Sequence, residues 1–88
     1  MLETARPAMK AIPADLLTAG RVVWLEGFRF NCVGVRPDPI GNGTVEAPRP
    51  RILADLVWSG EGRDPGPGYH TMTSGRALPH CWTVEAPN

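Results

Sequence analysis

The sequence has few cysteines, no long apolar run and no excess charge, and each shortage excludes a class of protein. Its 88 residues include only Cys32 and Cys81, which are too few for a disulfide-stabilised scaffold. Nine Asp and Glu balance nine Lys and Arg, so the basic surface typical of nucleic-acid-binding proteins is not expected. No apolar run approaches the roughly 20 residues of a membrane span, and residues 1–20 lack a secretory signal. We therefore expect a cytoplasmic protein with reduced thiols and no membrane segment.

Glycine and proline, by contrast, are abundant. Ten residues of each occur, about twice the average share, and both interrupt helices. A chain of this length forms one small domain, which we place at residues 13–85. Residues 1–12 show no helical or strand periodicity and are interpreted as an N-terminal arm, either loose or supplied as an edge strand. Residues 86–88 are a tail.

The hydrophobic pattern predicts five short strands, at residues 21–25, 28–35, 51–58, 69–72 and 80–85. Glu26 and Gly27 indicate a tight hairpin turn between the first two, and the broken alternation around Cys32 and Gly34 indicates a β-bulge. Residues 73–79 are expected to form a single 3₁₀ turn. The predicted fold class is all-β: a single small antiparallel five-stranded barrel or strongly bent sheet. The arm and the loop over 37–50 should be the least ordered segments, and an arm strand exchanged between chains would give a homodimer instead of a monomer.

The order of these elements over about residues 13–85 resembles an SH3-like barrel. The run from Gly20 to Val35 also resembles short accessory proteins of temperate phages of GC-rich bacteria. The chain departs from signalling SH3 domains because it lacks their acidic loop and Trp-Trp pair, so binding of proline-rich ligands does not carry over. The resemblance implies a phage-borne inhibitor or adaptor that acts on a host protein complex, such as a defence system.

Catalytic and metal-binding patterns are missing from the sequence. The two cysteines and the two histidines, His70 and His80, do not occur in the paired spacings of a zinc site. His80 and Cys81 are adjacent on a predicted strand and therefore point to opposite faces. Neither serine lies in Gly-x-Ser-x-Gly, and the glycine-rich segment 60–66 lacks the Lys-Ser/Thr end of a phosphate loop. We expect no enzyme activity and no cofactor.

The aromatic residues suggest a binding surface. Four of them are predicted to form the core: Phe28, Phe30, Trp58 and Trp82. The remaining aromatic residues join outward-facing positions in a predicted partner-binding face made of Trp24, Arg29, Arg51, Leu53 and Tyr69. Trp, Tyr and Arg are enriched in the energetically dominant parts of protein interfaces. The predicted function is therefore a non-enzymatic protein-binding module. Two alternatives remain: a small barrel that stacks nucleic-acid bases on these aromatics, and a Trp24 that packs under the arm and serves only folding.

Overall fold

The computed structural model describes residues 8–39 and 50–86. Within these ranges the chain forms six β-strands: β1 Met9–Pro13, β2 Val22–Leu25, β3 Phe28–Pro37, β4 Arg51–Trp58, β5 Thr71–Ala77 and β6 Cys81–Glu85. Two 3₁₀ turns lie at Ala14–Leu16 and Pro67–Tyr69, and the described ranges contain no α-helix. The strands form one antiparallel sheet in the order β1-β6-β2-β3-β4-β5. The predicted all-β class is confirmed, but the sheet has six strands and is not closed into a barrel.

The additional strand comes from the N-terminal arm. Residues Met9–Pro13 pair with β6, from Met9 opposite Glu85 to Pro13 opposite Cys81. Ile12 is the buried residue of β1 and adds to the core. One apolar inward position in five residues is too little periodicity to identify a strand from the sequence. The expectation that the arm and the loop over 37–50 are the least ordered falls largely on residues 1–7 and 40–49, which lie outside the described residues.

The last third of the chain differs from the prediction. Residues 73–79 were expected to form a 3₁₀ turn, but β5 continues through Ala77, and Tyr69 lies in the 3₁₀ turn that precedes it. The apparent turn signal at Gly75 is a packing requirement. A Cβ atom at that position would lie 2.7 Å from Arg51 Nε and 2.8 Å from Leu53 Cδ2. The predicted start of the last strand is also wrong by one residue, because β6 begins at Cys81.

The hairpin and the bulge are confirmed. Leu25 pairs with Phe28 across a two-residue turn, in which Glu26 has φ of 54° and Gly27 has φ of 87°. Positive φ at both positions matches the twist of the flanking strands. The pairing of β3 with β4 shifts register between Cys32 and Gly34, where β3 contains the extra residue.

The core covers one face of the sheet, called here the inner face. Its buried residues are Ile12, Ala14, Leu17, Val23, Phe30, Cys32, Ala54, Leu56, Trp82 and Val84. Of the four aromatics predicted for the core, Phe30 and Trp82 are fully buried, whereas Phe28 and Trp58 are partly buried against it. The sheet is bent around this core. Arg76 of β5 lies 5.0 Å from the ring of Trp82 on β6, although three strands separate β5 from β6 in the sheet.

The two cysteines lie on opposite faces of the sheet. Cys32 is buried and Cys81 is exposed, and both thiols are free. Burial raises the pKa of the Cys32 thiol. A buried thiol with a raised pKa is a poor nucleophile and packs as a small apolar side chain.

Candidate functional site

The outer face of the sheet carries a polar cluster of Trp24, Arg29 and Glu85, called here the Glu85 cluster. Trp24 and Arg29 are direct partners across the β2–β3 hairpin, and Glu85 lies on β6 next to them. The indole Nε1 of Trp24 donates to Glu85 Oε2 at 2.8 Å. Arg29 donates to the same carboxylate through Nε at 2.7 Å and Nη2 at 3.3 Å. Three strands are therefore joined through one carboxylate.

The Glu85 cluster contains one positive side chain, Arg29, and one negative side chain, Glu85, which form an ion pair. The Arg29 and Glu85 side chains are 23% and 15% exposed, so solvent screens their attraction only in part. The hydrogen bond from Arg29 holds the pKa of Glu85 below its ordinary value, and the same bond raises the pKa of Arg29. Arg29 also reaches the exposed Glu61 at 3.3 Å. Because the polar atoms of Trp24 and Arg29 already have partners, these two residues stabilise the sheet whether or not a partner protein binds.

The other two outward residues of the predicted face lie elsewhere. Arg51 and Leu53 are near the start of β4 and pack across Gly75 of the neighbouring strand. Arg51 Nε also lies 3.5 Å from Asp38 Oδ2. The register of β3 with β4 puts this pair near the far end of β3 from Arg29, with Leu53 roughly 20 Å and Arg51 roughly 26 Å away at 3.3 Å per residue.

Tyr69, the fifth predicted site residue, is 62% exposed and borders the inner face. The structure thus brings Trp24 together with Arg29 and Arg51 together with Leu53. It does not bring all five residues onto one continuous surface. Tyr69 instead borders a cavity that the sequence did not indicate.

The inner face contains an open cavity of about 320 Å³, called here the cleft. It lies between the β2–β3 hairpin, the loop over 59–70 and β5. The lining residues are Leu25, Glu26, Phe28, Phe30, Pro65, Tyr69, Met72, Ser74 and Arg76. Most of them are aromatic or aliphatic, with a hydroxyl and a guanidinium on β5 and an exposed carboxylate in the hairpin turn. An open, mainly apolar cavity with a few polar groups is the usual form of a binding site.

The loop that forms one wall of the cleft is held by specific contacts. The guanidinium of Arg63 lies 4.7 Å from the centre of the Phe28 ring, a distance at which cations and aromatic rings attract each other. Asp64 accepts a hydrogen bond from the Gly66 N–H at 2.8 Å and lies 2.7 Å from His70 Nε2. The hydrogen bond from the Gly66 N–H lowers the pKa of Asp64, and the contact with His70 lowers it further. The cleft is therefore preformed.

Two features explain why the cleft was missed from the sequence. Ser74 and Arg76 flank Gly75, which indicates a turn by local rules, whereas both residues belong to β5. Phe28 was assigned wholly to the core, although it is only partly buried.

The cleft offers apolar surface together with a hydroxyl, a guanidinium and a carboxylate. Among residues 8–39 and 50–86, no three His, Cys, Asp or Glu side chains converge to hold a metal ion. Over the same part of the chain, no helix has the length and apolar character needed to cross a lipid bilayer. Comparison with protein-family models gives no match, and no curated protein sequence matches the chain. The function is therefore inferred from the cleft and from the sequence pattern.

Proposed function

We propose that the protein is a small non-enzymatic protein-binding module and that the cleft takes an apolar side chain of a partner protein. The observation that carries this proposal is the cleft itself, an apolar cavity of about 320 Å³ that is open to solvent beside a filled core. An open cavity with mainly apolar walls and a few polar groups is the usual form of a binding site. Its rim includes Tyr69 and Arg76, and these residue types are enriched in protein interfaces.

The free energy gained by burying one side chain in the cleft determines how many further contacts the partner must make. A buried aromatic side chain removes roughly 150–250 Å² from water, which is worth about 4–6 kcal/mol at 25 cal/mol/Å². Association costs about 4–15 kcal/mol. One anchored side chain therefore gives weak binding at best, and a specific partner must make further contacts around the cleft.

The biological role that we propose is that of a phage-borne inhibitor or adaptor which acts in the cytoplasm on a host protein complex, such as a defence system. The resemblance of residues 20–35 to short phage accessory proteins supports this role, and an SH3-like arrangement of the strands is part of the same proposal. A small module with a preformed cleft suits such a role, because little ordering of the module is needed when it binds.

A small nucleic-acid-binding module is the second candidate. Tyr69 and Phe28 offer rings on which bases could stack, and Arg63 and Arg76 lie nearby. A tryptophan fluorescence titration with single- and double-stranded oligonucleotides at two salt concentrations distinguishes the candidates. Quenching that weakens steeply with salt would favour nucleic acid. We expect no quenching, because the formal net charge is zero.

Matched phenylalanine substitutions on β5 test the protein-binding proposal. Ser74 lines the cleft and Thr71 is exposed on the outer face of the same strand. Ser74→Phe fills the cleft, whereas Thr71→Phe adds the same group without obstructing it. Peptides selected from a displayed random library on the wild-type protein should bind Thr71→Phe unchanged and Ser74→Phe at least about tenfold more weakly, a difference of about 1.4 kcal/mol. Equal binding to both variants, or no enrichment of any peptide, would contradict the proposal.

A further inference from the structure

Among the described strands, β5 is paired on one side only. It pairs with β4 over its whole length, from Thr71 opposite Val57 to Ala77 opposite Arg51. Within the described ranges, no strand pairs with its other side. An unpaired edge presents backbone N–H and C=O groups to which another extended chain can bond.

Two hydrogen bonds fix which backbone groups of β5 face the open side. The Trp58 N–H donates to the His70 C=O at 2.7 Å, and the Leu78 N–H donates to the Pro50 C=O at 2.9 Å. In an antiparallel pair, bonded and non-bonded positions alternate. The residues that direct N–H and C=O groups to the open side are therefore Thr71, Thr73, Gly75 and Ala77. The C=O of Ala77 already accepts the His80 N–H at 2.7 Å, so four donors and three acceptors are presented.

The opposite edge of the sheet is less suited to pairing. Strand β1 has five residues and ends at Pro13, which has no N–H. The Ala14 N–H donates to the His80 C=O at 3.0 Å, and by the same alternation only Met9 and Ala11 present donors to the open side of β1. The β5 edge therefore offers twice as many donors.

The β5 edge and the cleft adjoin each other. Met72, Ser74 and Arg76 line the cleft, and they belong to the edge strand itself. A strand added at the usual spacing of about 4.8 Å extends the inner face, so its alternate side chains come to lie beside these three residues. Backbone bonds to the edge are the further contacts that a partner anchored in the cleft requires.

We infer that the partner binds as an extended segment added antiparallel to β5, with an acidic side chain opposite Arg76 and an apolar side chain opposite Met72. This inference rests on the proposed function. Arg76 lies against the Trp82 ring, but no ion pair joins it to a carboxylate within residues 8–39 and 50–86, so an acid on the partner could supply one. Antiparallel order places the acid four residues before the apolar residue. A second copy of β5 fits less well, because its sequence contains no acid.

Amide exchange measured by NMR tests the inference directly. The probe is the blocked peptide Thr-Glu-Thr-Thr-Val-Leu-Thr, which matches the length of β5 and places Glu opposite Arg76 and Leu opposite Met72. In the free protein, the amides of Ser74 and Arg76 should be protected by β4, while those of Thr73 and Gly75 exchange fast. At saturating peptide, the exchange of Thr73 and Gly75 should slow at least about tenfold.

A charge exchange tests the pairing of the acid with Arg76. A peptide with Lys in place of Glu should bind the wild-type protein about tenfold more weakly, and Arg76→Glu should reverse that preference. Arg76→Lys keeps the charge and should retain the preference for the Glu peptide. Circular dichroism verifies folding, since Arg76 also lies over Trp82. The exchange measurement on the wild-type protein needs no variant, so a misfolded variant does not decide the result.

The possible outcomes separate this inference from the proposed function. Peptide-induced shifts at Phe28 and Tyr69 with unchanged exchange at Thr73 and Gly75 would overturn strand addition and leave the cleft as a binding site. Protection of those amides that rises with protein concentration alone would assign the edge to a second copy. Stronger binding of the reversed sequence Thr-Leu-Val-Thr-Thr-Glu-Thr would overturn the antiparallel order. Failure of the probe to bind would overturn the inference, whereas the library selection decides the proposed function independently.

Discussion

Removal of the Glu85 carboxylate best tests how much the Glu85 cluster on the outer face contributes to the stability of the protein. Glu85→Ala leaves the Trp24 indole N–H and the half-buried Arg29 guanidinium without this acceptor. A hydrogen bond to a charged group contributes about 1.5–3 kcal/mol. The three bonds share one carboxylate and solvent can replace part of each, so we expect a loss of about 2 kcal/mol in unfolding free energy. For a domain of this size, that lowers the midpoint of thermal unfolding by about 8–16 °C.

The pH dependence of the variant follows from the lowered pKa of Glu85. A carboxyl whose pKa is lower when folded stabilises the protein above its unfolded pKa, and this contribution is lost as pH falls through the folded value. The difference in unfolding free energy between the wild-type protein and Glu85→Gln should therefore be largest at pH 7. It should shrink below about pH 4.5, the ordinary pKa of a Glu side chain. Asp55 and Asp64 also have lowered pKa values, Asp55 chiefly through Thr73. Their contributions to the pH dependence of unfolding free energy are the same in both proteins and cancel in the difference.

Urea unfolding followed by far-ultraviolet circular dichroism is the assay, because it does not depend on the fluorescence of Trp24. Glu61→Ala is the control. Glu61 contacts the same Arg29 at 3.3 Å but is 76% exposed, so its removal should change stability by less than about 0.5 kcal/mol. The reasoning is refuted if the two alanine variants lose equal stability, or if the Glu85→Gln difference is the same at pH 3 as at pH 7.

Three further outcomes are expected. Glu26→Asn should raise the thermal midpoint by a few degrees, because Asn tolerates the positive φ of 54° better than Glu, and a lower midpoint would contradict the turn assignment. Gly75→Ala should lower unfolding free energy by about 1 kcal/mol, since the new Cβ meets Arg51 Nε at 2.7 Å; unchanged stability in urea would show that Arg51 moves freely. A thiol reagent should modify Cys81 in the folded protein and Cys32 only in denaturant, and fast labelling of both would contradict the buried position of Cys32.

The parts of the fold that could be predicted from the sequence are those that short-range rules determine. The turn at Glu26 and Gly27, the bulge near Cys32 and the bounds of β4 follow from alternation and turn chemistry within a few residues. The strand at 71–77 could not be predicted in the same way. Gly75 is a breaker by local rules, and its actual role depends on Arg51, which reaches it from the neighbouring strand.

The candidate site was only partly predictable for a related reason. Strand parity correctly placed Trp24 and Arg29 on the outer face, but their internal partner Glu85 is supplied by the pairing of β2 with β6. That pairing joins distant parts of the chain and has no local signature. The cleft likewise depends on how the loop over 59–70 folds back onto Phe28, which no sequence periodicity encodes.

The position of β6 in the sheet constrains the order in which the strands can pair during synthesis. In the sheet, β6 lies between β1 and β2, which precede it in the chain by more than 50 residues. During synthesis, β3, β4 and β5 can pair with their sequence neighbours as they emerge from the ribosome. Strand β1 has no partner until residues 81–85 are free, and β2 has one open edge until then. We therefore expect β1 to stay unpaired until residues 81–85 have left the ribosome, and a chain that stops before Cys81 to lose the pairing of β1.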